Sequence, residues 1–363
     1  MLLKNQNLLF FTRTMRLGGT ENVVLQLCEI FKQNVNKIVV CSCGGVNVET
    51  IEKMGIKHYL IPDIENKNPK VILSVVRILE HIVKEENITV IHTHHRMAAF
   101  YVSLLKLYKK SYFINTSHNT FNSRIRLTFL VYQNANLIAC GEMVKKNLVD
   151  IFGIEDKKVT VIHNAVKPFE GTVSIDKKLD GYKKQGKFLV GNVGRLSKQK
   201  GMEYFIEAIP MIIKVIPNVM FFIVGEGEEE EKLKKLAISN HIEEYLDFLG
   251  YRNDIQNVMS QFDIIVLSSL WEGLPLTPIE AFSVGKTVVA TAVDGTVEIV
   301  RDGIDGYLVE PKNSVAISEK VIDLYFDETK KRKFEKAALE RYKSEFSFDS
   351  LKEKYLNYYM ELK

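Results

Sequence analysis

Apolar runs of strand length alternate with segments of helical period from one end of this 363-residue chain to the other. A parallel strand is buried on both faces and returns through a helix, so the alternation is the pattern of sheets built from βαβ units. In the first half the strand candidates are Leu8–Phe11, Lys37–Cys43, His58–Ile61, Ile88–His92, Tyr112–Thr116, Leu137–Cys140 and Val159–Ile162. Helical segments such as Glu21–Phe31 and Pro69–Glu86 lie between most of them. The pattern restarts with Phe188–Val193, Val219–Val224, Tyr245–Leu249, Asp263–Leu267, Thr287–Thr291 and Gly306–Val309. Between the halves, Pro168–Gly186 is rich in Gly, Lys and Asp, has no sustained apolar period and reads as a linker. The expectation is an α/β protein of two doubly wound parallel-sheet domains, residues 1–168 and 187–346. At roughly 150 residues per domain the length agrees. Two such sheets facing each other would put their carboxyl ends, and any ligand, at the cleft between them.

Hydrophobic residues make up 46% and charged residues 26%, enough apolar material for two cores, which excludes disordered and fibrous classes. The net charge of +4 is too balanced for a protein whose task is to neutralise nucleic-acid phosphates. It conceals an asymmetry: residues 1–170 hold 22 Lys and Arg against 14 Asp and Glu, hence +8, and the remaining 27 against 31 give −4. Four cysteines, Cys28, Cys41, Cys43 and Cys140, form no disulfide framework and point to a reducing compartment. MLLKNQNLLFF reads as a first strand rather than a signal peptide, and no apolar stretch approaches the roughly 18 residues that span a membrane. The expected location is the cytoplasm, with a peripheral place at the inner face of the plasma membrane open to the basic half. Beyond about residue 312 the chain reads as helical, and residues 347–363 form an amphipathic helix with a stripe of Phe348, Tyr355, Tyr358 and Tyr359 suited to packing on a core.

The densest chemistry lies in residues 267–291, LSSLWEGLPLTPIEAFSVGKTVVAT. Glu272 falls in the loop after a buried strand, where ligands of open α/β sheets bind. A helix is expected to begin near Pro278 with Glu280 in its first turn, where an acid also serves simply to complement the helix dipole. Residues 190–205, VGNVGRLSKQKGMEYF, combine a strand, a Gly-rich loop and a helix start, with Arg195 and Lys200 suited to an anion such as a diphosphate. Lys198 reads as part of a solvated basic turn. The loop is not a nucleotide-binding Walker loop.

In the first half, TRTMRLGGTENV carries the pair Gly18–Gly19 at a strand-to-helix turn, where backbone can approach a phosphate or merely turn tightly. VGEGEEE, residues 224–230, reads as an acidic helix start. His92, His94 and His95 follow one strand and His118 ends another. A His-x-His-His cluster without a nearby Cys or carboxylate lacks the further ligands a metal site needs, so no metal is expected. His118 is the better candidate for a hydrogen bond to substrate.

With RLGGTENV, NTSHN (115–119), NVGRLSKQKG (192–201), the stretch 248–291 and GTVEIVRDGIDGYLV (295–309) in order, the chain resembles the retaining glycosyltransferases of family four, of the bacterial surface-polysaccharide type. Glu272 and Glu280 stand at that family's E-x7-E spacing. The resemblance implies the GT-B fold, two Rossmann-like domains with the terminal helix 347–363 crossing back to the first. It implies a hexosyltransferase that moves a sugar from a nucleoside-diphosphate sugar, a UDP-sugar above all, to a glycan or lipid-linked saccharide. Retention of anomeric configuration is implied, with no cofactor and no metal, and the chain contains no Asp-x-Asp.

By the same resemblance Arg195 and Lys200 would neutralise the diphosphate as the leaving group gains charge. Glu280 would accept from the ribose hydroxyls and Glu272 from the donor sugar. Gly18 and Gly19 would close on the diphosphate, and His118 would contact the donor. Tyr251, Arg252 and Asp254 fall at the base-contacting loop. Where the family often has Gly, Pro275 removes an N–H; Leu276 and Thr277 still supply amides. The acceptor is expected on the first domain, at His94, His95 and Arg96, near the basic residues Lys106, Lys109, Lys110, Arg124 and Arg126. The alternative on the same scaffold is a nucleotide-sugar epimerase, and a sugar-nucleotide binding protein is a third class.

Overall fold

The computed structural model describes residues 3–170, 174 and 176–362. The chain separates into two compact units, Met1–Asn164 with Leu351–Lys363 and Ala165–Ser350. The first unit holds seven strands: β1 (Asn7–Phe11), β2 (Lys37–Ser42), β3 (Lys57–Leu60), β4 (Val90–Thr93), β5 (Tyr112–Ser117), β6 (Asn136–Ala139) and β7 (Val159–Val161). All pair in parallel, in the order β3-β2-β1-β4-β5-β6-β7. Central β1 explains the continuous apolar run: Leu8, Leu9, Phe10 and Phe11 are fully buried because helices cover both faces of the sheet.

The second unit holds β8 (Phe188–Val193), β9 (Val219–Val224), β10 (Leu246–Phe248), β11 (Ile264–Leu267), β12 (Val288–Thr291) and β13 (Gly306–Val309), in the parallel order β10-β9-β8-β11-β12-β13. Its core sets Phe205, Ile206, Ile209 and Ile212 of one covering helix against Val190, Phe221 and Ile264 of the sheet. Each run read as a strand from sequence forms one, with ends shifted by two residues at most.

In each unit the direction of winding reverses beside the first strand, between β1 and β4 and between β8 and β11. The loops leaving neighbouring strands there diverge to opposite faces and open a crevice at the carboxyl edge of the sheet. All the sequence candidates of residues 12–23 and 92–96 meet the first crevice's strands, and those of 194–201 and 268–280 meet the second's.

Two expectations need correction. The stretch Pro168–Gly186 is not structureless throughout: Asp176 caps the helix Lys177–Lys184, accepting from the amides of Lys178 and Leu179, and Leu179 is fully buried. Residues 171–173 and 175 of that stretch lie outside the described residues. At the amino end, Leu3–Asn5 forms a 3-10 turn and the strand begins only at Asn7, with residues 1 and 2 outside the described residues. The helix Phe348–Glu361 joins the first unit from Leu351 onward. It buries Leu351, Tyr355 and Tyr359, and the Tyr359 ring centroid lies 4.3 Å from that of Phe31.

Candidate functional site

In the second unit the chain leaves β8 through Gly194–Gly201. Gly201 ends a 3-10 turn, Lys198–Lys200, with φ of 53°, and a Cβ there would stand 2.4 Å from the Ser268 carbonyl oxygen. Only glycine meets both demands, so this loop can lie flush against the loop leaving β11. The two loops are stitched together: Asn192 Nδ2 donates to Ser268 Oγ at 3.0 Å, the Ser268 hydroxyl donates to the Lys200 carbonyl at 3.1 Å, and the Leu270 amide donates to the Gln199 carbonyl at 2.8 Å.

That stitching carries Lys200 to Glu272. Lys200 Nζ donates to Glu272 Oε1 at 2.6 Å, with side chains 19% and 7% exposed. The Ser269 hydroxyl donates to the same oxygen at 2.6 Å, Gln199 Nε2 to Oε2 at 3.3 Å, and the Glu272 amide donates to Asp294 Oδ2 at 3.1 Å. Gln199, Ser269 and Asp294 are absent from the sequence candidates. Their only trace in sequence is their place beside the motif residues, because short polar loop residues follow no period.

Arg195 sits outside this knot, largely exposed, with Nη2 3.1 Å from Glu228 Oε2. Lys198 is exposed, as expected of a solvated turn. VGEGEEE precedes the helix Glu230–Ser239, and Gly227 is needed there because a Cβ would stand 2.2 Å from the Leu196 carbonyl oxygen.

The helix expected from Pro278 spans Leu276–Ser283 instead. Pro275 supplies the extended residue before it, and Pro278 is tolerated at the third helical position because amides of the first turn have no intrahelical acceptor. Glu280 therefore stands in the second turn, and the dipole-complementing reading loses its basis. Among the described residues no side chain caps this helix, which leaves the Leu276 and Thr277 amides without a side-chain cap. Glu280 is partly buried. Among the described residues no hydrogen bond or ion pair reaches its carboxylate, and desolvation raises its pKa to about 7 against the opposing pull of Lys200.

Tyr251 is exposed, as a residue meant to meet a ligand would be. Arg252 is not free in the same way: it grips Asp254 with Nε and Nη2, both at 2.8 Å, and Asp176 with Nη1 at 2.7 Å. Its guanidinium ties the segment before the helix Lys177–Lys184 to the loop after β10.

In the first unit Gly18 precedes the helix Gly19–Lys32 in extended conformation. A Cβ on Gly18 would stand 2.4 Å from Glu21 Oε2, whereas Gly19 faces open space. Glu21 is held by the Thr14 hydroxyl. Across the crevice, His94 Nδ1 and His118 Nε2 are 3.2 Å apart, and the outer nitrogens His94 Nε2 and His118 Nδ1 are buried with no hydrogen-bond partner among the described residues. His94 and His118 line a cavity of about 210 Å³ that also includes Thr20 and Asn119.

His92 is spent on packing, with Nδ1 2.7 Å from the Tyr359 hydroxyl and Nε2 2.7 Å from Thr116 Oγ1. Burial holds all three imidazoles neutral: the pKa falls to about 3 at His92, to about 4 at His118 and well below the ordinary range at His94, where the neighbouring His92 and His118 add to the effect. With both nitrogens of His92 engaged, the His-x-His-His run does not form a ligand set. Among the described residues no group of three or more His, Cys, Asp or Glu is arranged to hold a metal ion.

His95 and Arg96 have structural duties at this crevice. His95 Nδ1 accepts from the Met97 amide at 3.1 Å, capping the helix Arg96–Leu104, and Nε2 lies 3.6 Å from Glu65. Arg96 Nη1 donates to the Ser123 carbonyl at 3.1 Å and hydroxyl at 3.2 Å, with its guanidinium 4.8 Å from the Phe121 ring centroid. Among the described residues no helix is long and apolar enough to cross a membrane.

Two family models tile most of the chain: Glycosyltransferase Family 4 matches residues 17–168, and Glycosyl transferases group 1 matches residues 175–341. A curated relative, the UDP-Gal:alpha-D-GlcNAc-diphosphoundecaprenol alpha-1,3-galactosyltransferase of Escherichia coli, is 29% identical over 320 residues, 81% of each chain. Among solved structures, a glycosyltransferase from Rickettsia africae ESF-5 superposes with a TM-score of 0.87 at 23% identity, covering 98% of both chains. HepE of Anabaena in complex with UDP superposes with a TM-score of 0.84 at 19% identity, covering 98% of this chain and 100% of its own.

Proposed function

The chain belongs to the family-four glycosyltransferases, built on the GT-B fold, and from that premise we propose that it moves a hexose from a UDP-sugar to a lipid-linked or polymeric saccharide of the cell surface. The observation that carries the reading is the knot at the second unit's switch point, where Lys200, Glu272 and the uncapped start of the helix Leu276–Ser283 share one loop system. A nucleoside diphosphate brings two or more negative charges, and the fixed cation and backbone amides suit it.

On this reading Lys200 turns from Glu272 to the diphosphate when the donor enters, joined by the exposed Arg195. Freed of its ammonium partner, Glu272 keeps the Ser269 and Gln199 donors and accepts hydroxyls of the donor sugar. Glu280, lacking any partner of its own, accepts the ribose hydroxyls. As the bond between sugar and diphosphate breaks, charge builds on the leaving oxygen, and Lys200 and Arg195 stabilise it there. The cations Arg195 and Lys200 and the lack of any Asp-x-Asp support metal-independent transfer. His118, neutral and with Nδ1 lacking a partner among the described residues, suits a hydrogen bond to a substrate group within the first unit's crevice. Retention follows if departure and attack share one face of the sugar; no carboxylate is assigned as nucleophile.

The +8 of residues 1–170 supports peripheral contact with an anionic membrane at the cytoplasmic face. Incubation with UDP-glucose, UDP-galactose and UDP-N-acetylglucosamine tests the reading. UDP release that rises when a saccharide-diphosphate lipid is added, persists in EDTA and gives a product with the donor's anomeric configuration is the expected result. A sugar altered without any acceptor would mark an epimerase instead.

A further inference from the structure

Strands β11 and β12 pair side by side, and the turn that leaves β12 packs along the loop that carries Glu272. The buried Thr291 hydroxyl donates to the Ser269 carbonyl at 2.6 Å, and the Asp294 carboxylate accepts from the Glu272 amide at 3.1 Å. At the next residue the backbones touch: a Cβ on Gly295 would stand 1.9 Å from the Gly273 carbonyl oxygen.

Asp294 occupies this turn under strain. Its φ is 31°, in the left-handed region where a side chain crowds its own backbone and glycine does not. Local needs do not account for an acid here, because Gly295 fills the cap position of the following helix, Thr296–Ile299. The carboxylate reaches instead to an amide 22 residues away. Strain of this kind persists where the surrounding structure fixes it, and here the bond to the Glu272 amide is what it secures. The side chain of Glu272 has its own partners in Lys200, Ser269 and Gln199. Of these, Lys200 is the one that turns away when a diphosphate enters, after which the clamp from β12 still fixes the backbone from which the carboxylate projects.

We propose that Asp294 is a positioning residue for sugar transfer: by accepting the Glu272 amide it keeps Glu272 at the donor sugar once Lys200 has turned to the diphosphate. The assignment rests on the UDP-sugar reading above and names the residue on which the sugar contact depends. Asp294 acts through Glu272, so its loss should weaken the hold on the sugar and spare the nucleotide.

Two substitutions separate side chain from backbone. Asp294→Gly removes the acceptor and relieves the φ, so it should fold as the parent does by circular dichroism. Asp294→Asn keeps a carbonyl acceptor and tolerates the left-handed region. The full-length proteins are titrated calorimetrically with UDP, UDP-glucose, UDP-galactose and UDP-N-acetylglucosamine. In Asp294→Gly the UDP-sugar that the parent binds tightest should weaken about tenfold with UDP unchanged, and Asp294→Asn should restore it. Equal weakening of UDP and UDP-sugar, no weakening of either, or an Asn variant as weak as the Gly variant would overturn the proposal.

The one tryptophan of the chain, Trp271, immediately precedes Glu272 and is half exposed, so its fluorescence reports on the same loop without any ligand. Acrylamide quenching should rise in Asp294→Gly and match the parent in Asp294→Asn. UDP binding by the parent with equal quenching in all three proteins sinks the role of Asp294 alone. UDP that fails to bind the parent sinks the donor reading and the sugar role built on it, even where the quenching bears out the clamp.

Discussion

Lys200 Nζ lies 2.6 Å from Glu272 Oε1, and the two side chains are the most deeply placed ion pair of the second unit's switch-point loops. In the proposed reading, the ammonium assigned to the diphosphate is held by the carboxylate assigned to the donor sugar. Substituting Lys200→Ala leaves Glu272 buried with only neutral donors and should cost about 2–3 kcal/mol of stability in denaturant titration, with turnover reduced about 10²-fold or more. The double variant Lys200→Met with Glu272→Gln should recover most of the stability and none of the activity. Near-normal turnover in Lys200→Ala would rule out charge neutralisation by this residue.

Glu280 should make donor binding depend on pH. Its pKa of about 7 means that it is protonated at pH 6 and ionised at pH 8, so UDP affinity should rise across that interval. Glu280→Gln should bind UDP weakly and without this slope, read by calorimetry at both pH values. Stability moves the other way: a carboxyl whose folded pKa exceeds its unfolded value of 4.5 binds more protons when folded, so its contribution is lost as pH climbs from 4.5 through 7. Partial exposure limits the effect to the order of 2 kcal/mol, and Glu280→Gln should raise the melting temperature at pH 8 but not at pH 4.

Arg195 separates function from stability. Its exposed pair with Glu228 is screened by solvent and adds little to stability, so Arg195→Ala should melt with the parent protein yet lose about 10²-fold in kcat. Lys198→Ala, in the same turn, should leave both unchanged. Equal losses in the two variants would show that only the net positive charge of the loop matters.

Acid should unfold the first unit ahead of the second. His92 and His118 have folded pKa values of about 3 and about 4 against 6.5 for an unperturbed imidazole, and His94 is lowered too. Groups depressed in this way take up protons mainly on unfolding, so stability falls as pH drops from 6.5 toward 4. Two thermal transitions resolved calorimetrically at pH 7 and pH 5 should show the first unit's moving down. His92→Gln should reduce that movement.

The sheets were legible in sequence because a doubly buried parallel strand must be apolar at every position, as Leu8–Phe11 and Val219–Val224 are. Glu272 and Lys200 were legible as motif residues, but their pairing was not, since it depends on Gly201 bringing two loops together from strands distant in sequence. The helix Lys177–Lys184 escaped because one buried residue, Leu179, makes no period; its signal was the capping Asp176. The position of Glu280 was misread because Pro275 and Pro278 both resemble helix starts, and only the backbone distinguishes them. His92 resembled its neighbours until Tyr359, 267 residues away, was seen to occupy it.

That last contact bears on how the protein is made. The residues that seal His92 follow the whole second unit in the chain, whereas β1 to β7 precede it and emerge from the ribosome earlier. The nascent first unit therefore waits, with the hydrophobic seat of Tyr355 and Tyr359 uncovered, while the entire second unit is synthesised. Chaperone occupancy on translating ribosomes should fall only once the terminal helix has been delivered.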